Sequence, residues 1–121
     1  MSASGIPVIR IRNTLLSAIQ GDLSDQVAEA FQQHLLTRIE ATGASGVLLD
    51  ISALEIVDTY VARVLVDTAK MARLMGARTV LVGMRPEVAA TLINMGNGLD
   101  GLETALNVDD GLDHLGTLRS G

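Results

Sequence analysis

The stretch that decides the fold is VLLDISALEIVDTYVARVL, residues 47–65. It opens with a nearly continuous aliphatic run, Val47 to Ile51, which is typical of a short strand buried on both faces. Polar residues interrupt the run, and a helical pattern of apolar residues then begins at Asp58 and Thr59. The stretch therefore predicts a central strand, a short loop and a helix whose first residues offer a carboxylate and a hydroxyl.

Outward from this stretch, strand and helix patterns alternate. An N-terminal hairpin is predicted over residues 6–12 and 15–19, with its turn at Asn13-Thr14. Helices are predicted over 25–41, 58–75, 86–95 and 109–115, and the remaining strands over 47–51, 78–83 and 102–106. Because strands that alternate with helices favour crossover connections, the chain is predicted to be a single α/β domain, residues 1–121, with a mixed, mostly parallel sheet.

Each of the two helices that follow the central strand is predicted to carry an apolar stripe at helical spacing. In the helix after the central strand the stripe is Val61, Val64, Leu65, Thr68, Ala72 and Met75. In the following helix, which Pro86 opens, it is Val88, Ala89, Leu92, Ile93 and Met95. Both stripes are predicted to pack against the sheet.

Composition and charge limit the classes of function that the chain can have. The 121 residues carry a net charge of −5 and include one Phe, one Tyr and no Trp, which disfavours a nucleic-acid partner. The absence of cysteine fits a cytoplasmic location. We expect no signal peptide, because no basic segment precedes an apolar run. No membrane span is expected either, because no apolar run approaches the ~20 residues that a membrane helix needs.

The motifs that would indicate catalysis are missing or in the wrong place. Residues 96–101, GNGLDG, match G-x-G-x-x-G, but a helix precedes them and a strand follows, the reverse of a dinucleotide-binding turn. Asp50 resembles the acceptor of a response-regulator receiver, yet the acidic pair and late lysine of a receiver are absent, so a structural role is predicted. His34 and His114 lack metal-ligand spacing. We expect no enzyme, no cofactor and no metal.

Two readings of Asp58-Thr59 remain open from the residues alone. The first is ordinary helix capping, which these residue types favour. The second is that Thr59 accepts a phosphoryl group, since the N-terminus of a helix stabilises a phosphate. Arg63, four residues later, lies on the same helical face and could approach that phosphate, whereas Asp58 would repel it.

Several segments together resemble a STAS domain, the domain of anti-sigma-factor antagonists. They are the hairpin, the strand and its polar end at 47–52, the segment VDTYVAR at 57–63, and GMRP at 83–86. The resemblance covers essentially the whole chain. Within the family, DTYVARVL at 58–65 is most similar to the RsbS-type scaffolds of the bacterial stressosome, although such scaffolds commonly carry serine where this chain has Thr59.

The resemblance implies a non-enzymatic switch protein in which Thr59 is phosphorylated. A serine/threonine switch kinase would bind around Asp58, Thr59 and Tyr60 and be held while Thr59 is unmodified. The other implied partners are a STAS paralogue with a sensor domain and a phosphatase that resets the site. Homo-oligomers and a large hetero-oligomer are expected.

Three alternatives stay open. The chain could be an anti-sigma-factor antagonist that forms a small complex with a kinase that is itself an anti-sigma factor. It could be a small nucleotide-binding module. It could also be an interaction domain that is never phosphorylated.

Overall fold

A computed structural model describes residues 5–21, 23–95 and 102–116. The strands are β1 (Ile9–Ile11), β2 (Thr14–Ala18), β3 (Gly46–Asp50), β4 (Arg78–Val82) and β5 (Glu103–Ala105). The helices are α1 (Asp25–Thr42), α2 (Thr59–Leu74), α3 (Pro86–Asn94) and α4 (Val108–His114). The glycine-rich segment at 96–101, and with it the G-x-G-x-x-G match, lies outside the described residues.

The sheet confirms the predicted mixed architecture. Its strand order is β1-β2-β3-β4-β5; β1 pairs antiparallel with β2, and every other neighbouring pair is parallel. β3 occupies the centre, as its aliphatic run predicts, and all of its residues except Asp50 are buried. Each parallel strand returns through a helix, so the carboxyl ends of β2, β3, β4 and β5 meet at one edge of the sheet.

The N-terminal hairpin is shorter than predicted, because residues 6–8 do not join the strand. Pro7 has no backbone N–H to donate to the sheet, and its carbonyl instead accepts a hydrogen bond from Ser17 Oγ at 2.8 Å. The predicted turn at Asn13-Thr14 is also shifted. Arg12 turns the chain in the left-handed region, with φ of 54°, and Thr14 already belongs to β2.

The two faces of the sheet are covered unequally. On one face, Val47, Leu49 and Leu81 belong to the large core that includes the buried residues of α1, α2 and α3. On the other face, Leu48, Val80 and Val82 pack with Leu112 of α4, and four partly buried residues surround this smaller cluster: Leu16, Ala105, Val108 and Leu115. A helix of seven residues is therefore the sole described helical cover of the second face.

The predicted apolar stripes are largely confirmed, with one error in each helix. In α2 all the predicted positions are buried except Met75, which is 43% exposed because the helix ends at Leu74 and Met75 is its C-cap. In α3 Val88 and Leu92 are buried, but Ile93 is 66% exposed. Ile93 follows Leu92 directly and is therefore rotated by about 100° around the helix axis, away from the core.

Gly111 sets how closely α4 approaches the sheet. A Cβ atom at this position would lie 2.5 Å from Leu48 Cδ1 and 2.8 Å from Val82 Cγ1. We therefore expect Gly111→Ala to destabilise the fold by about 1–3 kcal/mol through overpacking, although alanine is the better helix former. Denaturant unfolding measures the effect, and Asp113→Ala, at an exposed position of the same helix, is the matched control. Equal stability of Gly111→Ala and the wild type would show that α4 is free to move away.

Candidate functional site

The loop between β3 and α2 leaves the sheet through a tight turn at Asp50. Its Oδ1 atom accepts hydrogen bonds from the backbone N–H of Ser52 at 3.0 Å and from Ser52 Oγ at 2.7 Å. A side chain that accepts a bond from the backbone two residues later stabilises such a turn. The predicted structural role of Asp50 is thereby confirmed.

The loop is held in place at several points. The N–H of Ile51 donates to the carbonyl of Val82 at 3.0 Å, and Leu54 and Val57 are buried in the main core. Arg85, which precedes α3, donates through Nε to the carbonyl of Ser52 at 2.9 Å. These contacts fix the position at which α2 begins.

Asp58 is the N-cap of α2. Its Oδ1 atom accepts a hydrogen bond from the backbone N–H of Val61 at 2.7 Å, and its backbone is extended. The capping reading is therefore confirmed, and the residue that caps is Asp58 rather than Thr59. Thr59 is the first residue of the helix and is exposed. Among the described residues its hydroxyl has no hydrogen-bond partner, so capping does not occupy it.

Acidic side chains of α1 approach the start of α2. Partial desolvation and then the nearby charge of Asp58 raise the pKa of Asp25, and Glu29 adds to the effect. The hydroxyl of Tyr60 donates to Glu29 Oε2. Three carboxylates thus lie around the first residues of α2, of which only that of Asp58 was recognised from the sequence. The i, i+4 spacing of Asp25 and Glu29 places them on one side of α1, but nothing in the sequence indicates that this side meets α2.

An exposed apolar surface lies beside the hydroxyl of Thr59. Ile56 is 78% exposed and Tyr60 is 46% exposed, both within three residues of Thr59. Ile56 was missed in the sequence because it lies in a run of apolar residues whose other members, Leu54 and Val57, are buried. Exposed aromatic and large aliphatic side chains of this kind are common anchors of protein interfaces.

Arg63 lies one turn after Thr59 on α2 and is exposed. Its guanidinium makes no ion pair or hydrogen bond with any part of the chain that the structure describes. The predicted set of Asp58, Thr59, Tyr60 and Arg63 is therefore brought together at the exposed start of α2. The role of each in binding a partner stays a prediction.

One open cleft of the described surface has a lining that disfavours a nucleotide. This open cleft of about 410 Å³ lies at the carboxyl ends of β3 and β4. Its lining is Asp50, Ser52, Val82, Gly83, Leu106, Asn107, Val108 and Asp109. Two carboxylates and no lysine or arginine line it, which disfavours a phosphate group.

The described residues contain neither a cluster of metal-ligating side chains nor a membrane-spanning helix. No cluster of three or more His, Cys, Asp or Glu side chains that could hold a metal ion occurs within residues 5–21, 23–95 and 102–116. None of the helices described is both long enough and apolar enough to cross a membrane.

Comparison with known families gives one match over most of the chain. The family model of the STAS domain matches residues 5–111. The RsbT co-antagonist protein RsbRA of Bacillus subtilis is 32% identical over 120 residues, which cover 91% of this chain. The same alignment covers 43% of RsbRA, so this chain spans less than half the length of that relative.

Two solved structures are similar over nearly the full length of both chains. A variant of RsbS from Moorella thermoacetica is 41% identical, with a TM-score of 0.83 and coverage of 94% of this chain and 97% of that one. A chain in a structure of the stressosome, described as a signal integration and transduction hub, is 42% identical, with a TM-score of 0.80. That match covers 94% of this chain and 100% of the other.

The cap at Asp58 can be tested by substitution. We expect Asp58→Ala to lower the free energy of unfolding by about 1 kcal/mol, because the N–H of Val61 loses its acceptor. Asp58→Asn keeps the acceptor and should stay within a few tenths of a kcal/mol of the wild type. Chemical denaturation measures both variants. A loss as large in Asp58→Asn as in Asp58→Ala would mean that the charge, and not the cap, is what stabilises α2.

Proposed function

Because the chain belongs to the STAS-domain family, we propose that it is a non-enzymatic, phosphorylation-switched scaffold of a bacterial stress-signalling complex, the stressosome. In this proposal it acts in the cytoplasm and holds a serine/threonine switch kinase while Thr59 is unmodified. Phosphorylation of Thr59 releases the kinase, and a phosphatase restores the original state. The full-length similarity to RsbS and to the stressosome chain supports the scaffold role.

One observation supports the proposal that Thr59 is the residue that accepts the phosphate. Its hydroxyl is exposed at the first position of α2, while the neighbouring Asp58 supplies the cap. In the transfer, Thr59 Oγ1 forms a bond to the γ-phosphorus of ATP, the bond to the ADP oxygen breaks, and the hydroxyl proton passes to a base of the kinase. No hydrogen bond of the fold has to break for this, so the protein stays folded in both states.

The phosphate would change the surface through charge. It adds close to two negative charges near Asp25, Glu29 and Asp58, and those carboxylates repel it. The N-terminus of α2 and the guanidinium of Arg63 offset part of that repulsion. A kinase that contacts Ile56 and Tyr60 would then have to desolvate a dianion, which is costly, and the complex dissociates.

The remaining partners follow from the family. A STAS paralogue that carries a sensor domain would co-assemble with this chain into a large hetero-oligomer. The relative RsbRA, which is more than twice as long as the matched segment, is the kind of protein that could fill this role. An anti-sigma-factor antagonist would use the same hydroxyl in a small complex, and particle size in the presence of the paralogue distinguishes the two.

The first test is phosphorylation by the cognate kinase. Incubation with that kinase and ATP should place one phosphate on Thr59, located by mass spectrometry, and Thr59→Ala should remain unmodified. Thr59→Ser is the matched control, because it keeps the hydroxyl and should be modified. An unmodified Thr59 under conditions where the kinase phosphorylates another substrate would falsify the assignment.

The second test concerns the surface on which the kinase is proposed to bind, which is formed by Ile56, Thr59 and Tyr60. We expect Thr59→Glu, Ile56→Ser and Tyr60→Ala each to weaken binding of the kinase by about tenfold or more, equivalent to about 1.4 kcal/mol. Leu74→Ser is the matched control, since Leu74 is 89% exposed at the opposite end of the same helix. Calorimetry or surface plasmon resonance provides the affinities. If Leu74→Ser weakens binding while the other three do not, the kinase docks elsewhere.

A further inference from the structure

The side chain of Tyr60 is held at its hydroxyl by a residue of another helix. Tyr60 is the second residue of α2 and is 46% exposed, and its hydroxyl donates to Glu29 Oε2 of α1. An exposed side chain without a partner changes its rotamer within picoseconds to nanoseconds. The hydrogen bond to Glu29 limits these rotations, while nearly half of the surface of Tyr60 stays accessible to a partner.

The packing of α1 against α2 places Glu29 opposite Tyr60. Gln32 lies three residues after Glu29, on the same side of α1, and donates through Nε2 to Thr68 Oγ1 at 2.9 Å. Thr68 is buried, and its hydroxyl donates in turn to the carbonyl of Val64 at 2.6 Å. Val64 lies one turn after Tyr60. Because these hydrogen bonds are at least partly buried, water competes with them weakly, and they fix which side of α1 faces α2.

Glu29 has no other bonding role in the part of the chain that the structure describes. Its side chain is exposed, and its bond with Tyr60 is the only hydrogen bond or ion pair that it makes among residues 5–21, 23–95 and 102–116. Substitution of an exposed residue of this kind barely changes the stability of a fold. The effect of Glu29 is therefore local, since it restricts the orientation of one aromatic ring.

We propose that Glu29 is a positioning residue of the kinase-binding surface, which holds the Tyr60 ring in the orientation that the kinase recognises. The inference rests on the proposed function, in which the kinase contacts Ile56 and Tyr60 beside Thr59. A side chain that is already restrained loses less conformational freedom when a partner binds, and the complex is tighter for that reason. Glu29 thus strengthens binding through Tyr60, without touching the kinase.

The restraint can be measured in the free chain. Tyr60 is the only tyrosine and the chain has no tryptophan, so the intrinsic fluorescence of the protein comes from Tyr60. Time-resolved anisotropy should show nanosecond motion of the ring with a larger amplitude in Glu29→Ala than in the wild type. Glu29→Gln keeps an oxygen acceptor and should stay close to the wild type. Glu40→Ala, which removes an exposed carboxylate near the other end of α1, is the matched control.

Kinase binding measures the consequence. Glu29→Ala should weaken binding about fivefold, equivalent to about 1 kcal/mol, with Glu29→Gln and Glu40→Ala within about twofold of the wild type. Tyr60→Phe, which keeps the ring and lacks the donor, should weaken binding by the same factor as Glu29→Ala. Adding Glu29→Ala to Tyr60→Phe should cause no further loss, because the two changes remove one interaction. Circular dichroism and thermal unfolding verify that each variant is folded.

Four results would overturn the proposal. The first two are a Glu29→Ala chain whose ring motion equals that of the wild type and one whose affinity for the kinase is unchanged. The third is a further loss of affinity when Glu29→Ala is added to Tyr60→Phe, which would show that Glu29 contacts the kinase itself. The fourth is a loss in Glu29→Gln as large as in Glu29→Ala, which would assign the effect to charge.

Phosphorylation separates this inference from the proposed function. If the inference fails and the function holds, Thr59 is phosphorylated and Tyr60→Ala weakens kinase binding, while Glu29→Ala does not. If the function fails, Thr59 receives no phosphate and the wild type does not bind the kinase. The role of Glu29 in kinase binding is then overturned with it, even where the anisotropy shows a restrained ring.

Discussion

The pairing of β3 with parallel strands on both sides is the constraint on which the rest of the structure depends. β3 can satisfy its backbone only between β2 and β4, and its aliphatic side chains require cover on both faces. Helices must therefore lie above and below it. The chain must also leave β3 at the carboxyl edge of the sheet, where Asp50 turns it towards α2. This path of the chain from β3 to α2 determines where Asp58 and Thr59, the candidate switch, are located.

In the loop between β3 and α2 and at the start of α2, neighbouring residues have different roles. Asp58 completes the first turn of α2, and Thr59 is thereby left with an exposed hydroxyl that the fold does not use. Had Thr59 been the cap, phosphorylation would have removed a hydrogen bond that stabilises the helix. The buried residues Leu54 and Val57 hold the loop, and Ile56 between them is turned outward. This short segment therefore contains both buried residues that stabilise the fold and exposed residues that a partner can contact.

Local patterns in the sequence predicted most of the fold. The aliphatic run at 47–51 and the stripe of α2 identified the centre of the sheet and its main helix, and Asp58 and Thr59 marked where that helix begins. Met75 and Ile93 were placed wrongly because periodicity does not show where a helix ends or how far the sheet extends beneath it. Asp25 and Glu29 could not be assigned to the site, since their proximity to Asp58 depends on how α1 packs beside α2.

The cap at Asp58 also restricts how the switch can evolve. A kinase reads the residues that flank its acceptor, yet the residue directly before Thr59 cannot vary freely, because only a few side chains can hold the first turn of α2. Divergence in kinase preference is therefore expected at positions such as Glu55 and Ile56, which are exposed and whose side chains make no hydrogen bond or ion pair among the described residues. Duplicated copies of such a domain could acquire new kinases there without losing the ability to fold.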